Sequence, residues 1–128
     1  MNNSNNTANK NSRKNTKDLE SVKAIREHAI KEREQTEDPN VLAQWNASID
    51  ALSMVIKIIA STEGGERIKC ITNYATQATK TYLNYPGEPG SKEHKKLYAT
   101  ALTYYQTIKL LRDLQVIQTI QEILEGLE

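Results

Sequence analysis

Residues 38–65, DPNVLAQWNASIDALSMVIKIIASTEGG, decide the fold. Leu42, Trp45, Ile49, Leu52, Ile56 and Ile59 recur three and four residues apart, the period of one side of an α-helix. Met54, Val55 and Ile58 widen that stripe, so the spacing predicts a central helix contacted on several sides. Asp38 and Pro39 suit the N-cap and first helical position. Gly64-Gly65 suits a left-handed C-terminal cap.

The same period extends in both directions. Upstream, Leu19, Val22, Ile25, Ala29 and Ile30 mark a helix starting at Asn15 or Thr16 as cap and stopping near Thr36, ahead of Pro39. Downstream, a third helix is expected from about Glu66 to Leu83, with Ile68, Ile71, Ala75, Ala78 and Tyr82 inward. Its outer side carries Thr72, Thr76, Thr79 and Thr81, poor helix formers that leave stability to packing. Two Pro-Gly pairs in residues 85–90, each fit for the centre of a type II turn, separate it from a fourth helix capped by Ser91.

No proline or glycine interrupts the 34 residues from Lys92 to Glu125, a rod of about 50 Å. Its stripe is led by Leu97, Ala101, Tyr104, Ile108 and Leu111 and followed by Val116, Ile117, Ile120, Ile123 and Leu124. A rod outrunning its neighbours leaves an apolar end to be covered, most simply by another copy of the chain. The expected class is all-α: a four-helix bundle-like domain over 18–128, preceded by an extended or disordered basic arm over 1–17.

That arm is compositionally distinct. Seven of its residues are asparagine, and Lys10, Arg13, Lys14 and Lys17 carry its charge with no acid before Asp18. It holds too little apolar surface to repay the entropy of folding alone. The overall charge of +1 thus divides into a +4 arm and a body with 13 Lys/Arg against 16 Asp/Glu. A polyanion would meet the arm first, with Lys23 and Arg26 continuing the cationic run onto the first helix. Asparagine, serine and lysine suit contact with phosphate and sugar, and the absence of aromatics in the arm argues against base stacking. The expected partner is the backbone of a nucleic acid, bound without sequence specificity and with affinity drawn from many copies. A second basic cluster, Lys92, Lys95 and Lys96 with His94, reads as ordinary hydrated surface.

Catalysis finds no footing. His28 and His94 sit among charged residues, no His-Glu-x-x-His zinc pattern or pair of Glu-x-x-His motifs occurs, and Cys70 stands alone between Lys69 and Ile71 as a packing residue. Neither a metal nor another cofactor is expected, and the chain reads as a non-enzyme. One unpaired cysteine fits a reducing, intracellular setting. The amino terminus lacks the apolar segment of a secretory signal, and Ile49–Ala60 is too short and too charged to span a bilayer.

A polar, basic leader on a compact helical body without catalytic residues, from Asn2 through the helix ending near Glu125, resembles the major coat proteins of filamentous and rod-shaped archaeal viruses. The resemblance is one of organisation, and no residue motif carries over. It implies paired helical-bundle subunits, identical or paralogous, that wrap double-stranded DNA in a virion. The expected function is therefore a structural nucleoprotein, a self-assembling coat subunit found in the virion or in the host cytoplasm. The alternative is a small helical adaptor or phage-type inhibitor that docks on a host protein through an apolar helix face.

Overall fold

In the computed structural model, residues 2–127 are described, with side chains from Lys17 onward. The central helix, α2, spans Pro39–Ser61 and starts as its sequence demands: the Asp38 carboxylate accepts the Asn40 amide at 2.8 Å, and Pro39 occupies the first turn. Ala43, Ala47, Ile49, Ala51, Leu52, Val55, Ile58 and Ile59 are buried, several more positions than one stripe would supply. Helix α1 (Asn2–Glu34), α3 (Gly64–Leu83) and α4 (Lys92–Leu127) complete an all-helical chain without strands among the described residues.

The helices pack in the order α1, α2, α4, α3. Arg26 reaching Ser53 and Arg33 reaching Asn46 set α1 antiparallel to α2. The Tyr74–Tyr104 and Tyr82–Tyr98 ring pairs do the same for α3 and α4. The two middle helices, α2 and α4, then run parallel, joined inside by the Thr103 hydroxyl donating to Ser48 Oγ at 3.0 Å. Val22 from α1, Val55 from α2 and Ile71 from α3 are the most completely buried large side chains, and Leu111 and Ile108 from α4 close the core. Each such side chain contributes about 1.5–3 kcal/mol by leaving water.

Several boundaries differ from the sequence expectation. Helix α1 begins ahead of the start expected at Asn15 or Thr16, its backbone being helical from Asn2. Nothing between Asn2 and Glu34 is proline or glycine, and a helix already nucleated by packing adds turns far more readily than it starts them. Helix α2 stops before the glycine pair: Thr62 is its extended cap, and Gly64, at φ +55°, opens α3. Glycine is not needed as the cap because side chains take its role. Ser61 Oγ donates to Lys57 O at 3.0 Å, and Thr62 Oγ1 donates to Ile58 O. The Glu88-Pro89-Gly90-Ser91 turn closes with a Ser91 N–H to Glu88 O bond of 3.2 Å and Gly90 at φ +80°, as a type II turn requires. Gly87 does not adopt that conformation. The Tyr85 ring lies against it, 2.5 Å from where a β-carbon would stand, so a larger residue would push that ring aside. The threonines of α3 are accommodated by back-bonding, each of Thr72, Thr76, Thr79 and Thr81 donating to the carbonyl four residues earlier.

Burial pushes the Tyr104 phenol above its ordinary value of 10.0, with Tyr74 and Asp50 adding to the shift. The folded state therefore holds this proton better than the unfolded chain does. Its contribution to stability is constant below the ordinary value and is lost as pH rises through the raised one. We expect the urea midpoint to fall between about pH 9 and about pH 11, and the fall to be smaller in Tyr104→Phe. Equal falls in both proteins would show that Tyr104 titrates freely.

Candidate nucleic-acid interface

The six cations singled out in the sequence all lie on α1, but the fold does not gather them into one row. Positions 10, 13, 14 and 17 are three and four residues apart and so share one side of a helical backbone. The side chains of Lys10, Arg13 and Lys14 lie outside the described residues. Lys17 is half-buried at the mouth of a cavity of about 410 Å³. Lys23 is exposed, but six residues beyond Lys17 it faces about 120° away around the helix. Arg26 turns inward: its Nε donates to Ser53 Oγ at 2.9 Å, which makes it a pin between α1 and α2 and removes it from a free cationic surface.

The cavity beside Lys17 lies where the body ends. Asp18 comes from α1, Glu63, Gly64, Arg67 and Ile68 from the start of α3, and Leu111, Leu114, Gln115, Gln118 and Thr119 from α4. Its organiser is Arg67, only 4 % exposed. One guanidinium nitrogen donates to Asp18 Oδ2 at 2.7 Å; the other donates to Ile59 O at 3.0 Å and also to Thr62 O. A cation placed on the last carbonyls of α2 also opposes the negative end of that helix. Nothing local in the sequence reveals this role of Arg67, whose acidic partner lies 49 residues away. Cys70 itself is half-buried against the core, a packing position.

Helix α4 departs from its expected single stripe. Through Leu111 its apolar side faces the body. Beyond Leu114 the inward positions, Gln115, Gln118 and Thr119, are polar and line the cavity, while Val116, Ile117, Ile120, Ile123, Leu124 and Leu127 are exposed, from 45 % at Ile117 to 79 % at Leu127. At about 100° per residue, these six centre on the side of α4 roughly opposite its buried residues. The apolar face therefore switches sides near residue 115, and the projecting end presents it away from its own bundle.

The second basic cluster is also less uniform than expected. Lys92 and Lys95 are exposed, and Lys96 pairs with Glu93 at 3.4 Å. His94 is not a hydrated side chain: it stacks on Tyr82 at 4.7 Å and on Tyr85 at 5.3 Å, and its Nδ1 accepts the Gly90 N–H at 2.9 Å. It fastens the turn to α4. His28 lies edge-on to Trp45 at 6.5 Å and 3.9 Å from Glu32. Among the described residues, no three His, Cys, Asp or Glu side chains are grouped to hold a metal, and no helix is long and apolar enough to cross a membrane. No protein-family model, curated protein or solved structure matches the chain.

Proposed function

We propose that this protein is a structural nucleoprotein, a virion coat subunit that self-assembles, with identical or paralogous subunits, and holds the backbone of double-stranded DNA without reading its sequence. The observation that carries the reading is the projecting end of α4, whose six exposed apolar side chains make the molecule incomplete by itself. Four cations on one side of the leading helix supply the phosphate contacts, Lys10, Arg13, Lys14 and Lys17, with exposed Lys23 adding a fifth on a different side. Few contacts per subunit suffice when many subunits bind together. Such a protein resides in the virion, or in the host cytoplasm before assembly.

The test is the mobility of duplex DNA of arbitrary sequence across a salt series. Five phosphate contacts predict a log–log slope of about −4.5 per subunit. Deleting residues 1–17 abolishes the shift, and the length-preserving triple change Lys10→Gln, Arg13→Gln, Lys14→Gln flattens the slope to about −1.8. Binding that survives both changes would refute the nucleic-acid reading.

The adaptor reading draws on the same exposed face of α4, which would lie in a groove on another protein. An adaptor ignores DNA and loses nothing with residues 1–17.

A further inference from the structure

The exposed side of α4 carries more than its projecting end. Tyr98, Leu102 and Tyr105, earlier on the same helix, are 40–50 % exposed. At about 100° per residue they fall on the same side as Ile120, Ile123 and Leu127. Between the two apolar stretches lie the exposed charges Lys109, Arg112 and Asp113. About a point between Arg112 and Asp113 the two apolar stretches mirror each other, while Lys109 falls opposite Val116.

Turn a second α4 end for end about an axis crossing between Arg112 and Asp113. Tyr98 then faces Leu127 of the copy, Leu102 faces Ile123, and Tyr105 faces Ile120. Each Arg112 meets the other chain's Asp113, twice over. A parallel pairing instead stacks Arg112 on Arg112 and Asp113 on Asp113.

We infer that α4 pairs antiparallel with α4 of a second copy of this chain, in a two-fold dimer centred on Arg112 and Asp113. This deepens the assembly half of the function proposed above and is independent of its nucleic-acid half. Two features select this occupant. The first is the charge complementarity at the centre, which arises only when the helices run in opposite directions. The second is that residues 2–16, the chain's own leading segment, contain no apolar side chain larger than alanine and so cannot cover the stripe. The paired length, Tyr98 to Leu127, is about 45 Å, and each contact occurs twice because the interface is the same patch on both subunits. Asp113 already holds Lys109 at 3.0 Å, so in the dimer one carboxylate would bridge a cation from each chain.

Disulfide trapping of the full chain in a Cys70→Ala background tests the arrangement. The double variant Leu102→Cys, Ile123→Cys is expected to oxidise to a covalent dimer, whereas either cysteine alone is not. Within one chain those positions are about 31 Å apart along the helix and cannot close on each other. Arg112→Asp should raise the dimer dissociation constant about tenfold, and adding Asp113→Arg, which swaps the pair, should restore it to within about threefold. Self-linking of Ile123→Cys alone, a swap that fails to restore, or a monomer in sedimentation equilibrium at about 0.1 mM would each overturn the proposal. The monomer would assign the stripe to a different protein. A chain that pairs as described but ignores duplex DNA refutes the nucleic-acid reading and leaves the pairing standing.

Discussion

Replacing Arg67 with alanine is expected to cost about 3–5 kcal/mol of folding stability, the largest loss from any polar side chain in the described molecule. The effect comes less from the strength of the Arg67–Asp18 bridge than from what its removal leaves behind. The Ile59 and Thr62 carbonyls and the Asp18 carboxylate all lose a donor where water has little access. The bridge side chains are 5 % and 22 % exposed, so solvent replaces little of the interaction. Arg67→Lys should recover only part of the loss, because an ammonium cannot present two separated nitrogens to acceptors from α1 and from the end of α2. Asp18→Ala on top of Arg67→Ala should add little, since the partner is already gone. Urea unfolding measures all three, with an unchanged m-value as evidence that only stability moved. A loss below about 1 kcal/mol for Arg67→Ala would mean that the helix end relaxes and water takes over the three acceptors.

Ile71→Ala is the second large effect, at about 2–5 kcal/mol. Ile71 is 0 % exposed, midway along α3, and belongs to the same core cluster as Val22 of α1 and Val55 of α2. The space it fills is fully enclosed, so the hole cannot collapse without moving a helix. Ile120→Ala removes the same atoms from the projecting end of α4, where the side chain is half exposed, and should shift the midpoint of the monomer by less than about 0.5 kcal/mol. The two substitutions separate folding from association: one lowers the urea midpoint, and the other weakens self-association at constant fold. Comparable destabilisation of the monomer by both would mean that the projecting end packs on its own body.

Much of this fold is legible from local pattern. The α2 stripe, the Asp38 cap with Pro39 behind it, the Ser91 cap and the unbroken run to the end of α4 all follow from residues within one or two turns of each other. The packing order α1–α2–α4–α3 is not legible, because it depends on which widened faces meet. The Gly64-Gly65 pair misleads for a related reason. Glycine at a helix end usually signals a left-handed cap, but here the carbonyls it would serve are taken by Ser61, Thr62 and a guanidinium arriving from the next helix. His94 looks hydrated in a run of lysines, and only the return of the 85–90 turn brings Tyr82 and Tyr85 onto its two faces.

The candidate site was legible in the same uneven way. Composition picks out the basic leader, and helical spacing puts positions 10, 13, 14 and 17 on one side. The diversion of Arg26 to Ser53 depends on how α1 sits against α2, which no periodicity encodes. The apolar character of the end of α4 is plain in the sequence. Its direction is not, since Leu111 and Val116 look like successive members of one stripe until the buried positions fix which side faces the body.

The offset in α4 also defines how such a molecule would become self-contained. Two residues inserted near Gln115 would rotate everything after them by about 200° and swing the greasy end over the cavity beside Lys17. No aliphatic side chain need be lost. Whether the protein closes on itself or stays open to company is thus held in helical phase, a matter of chain length rather than of composition.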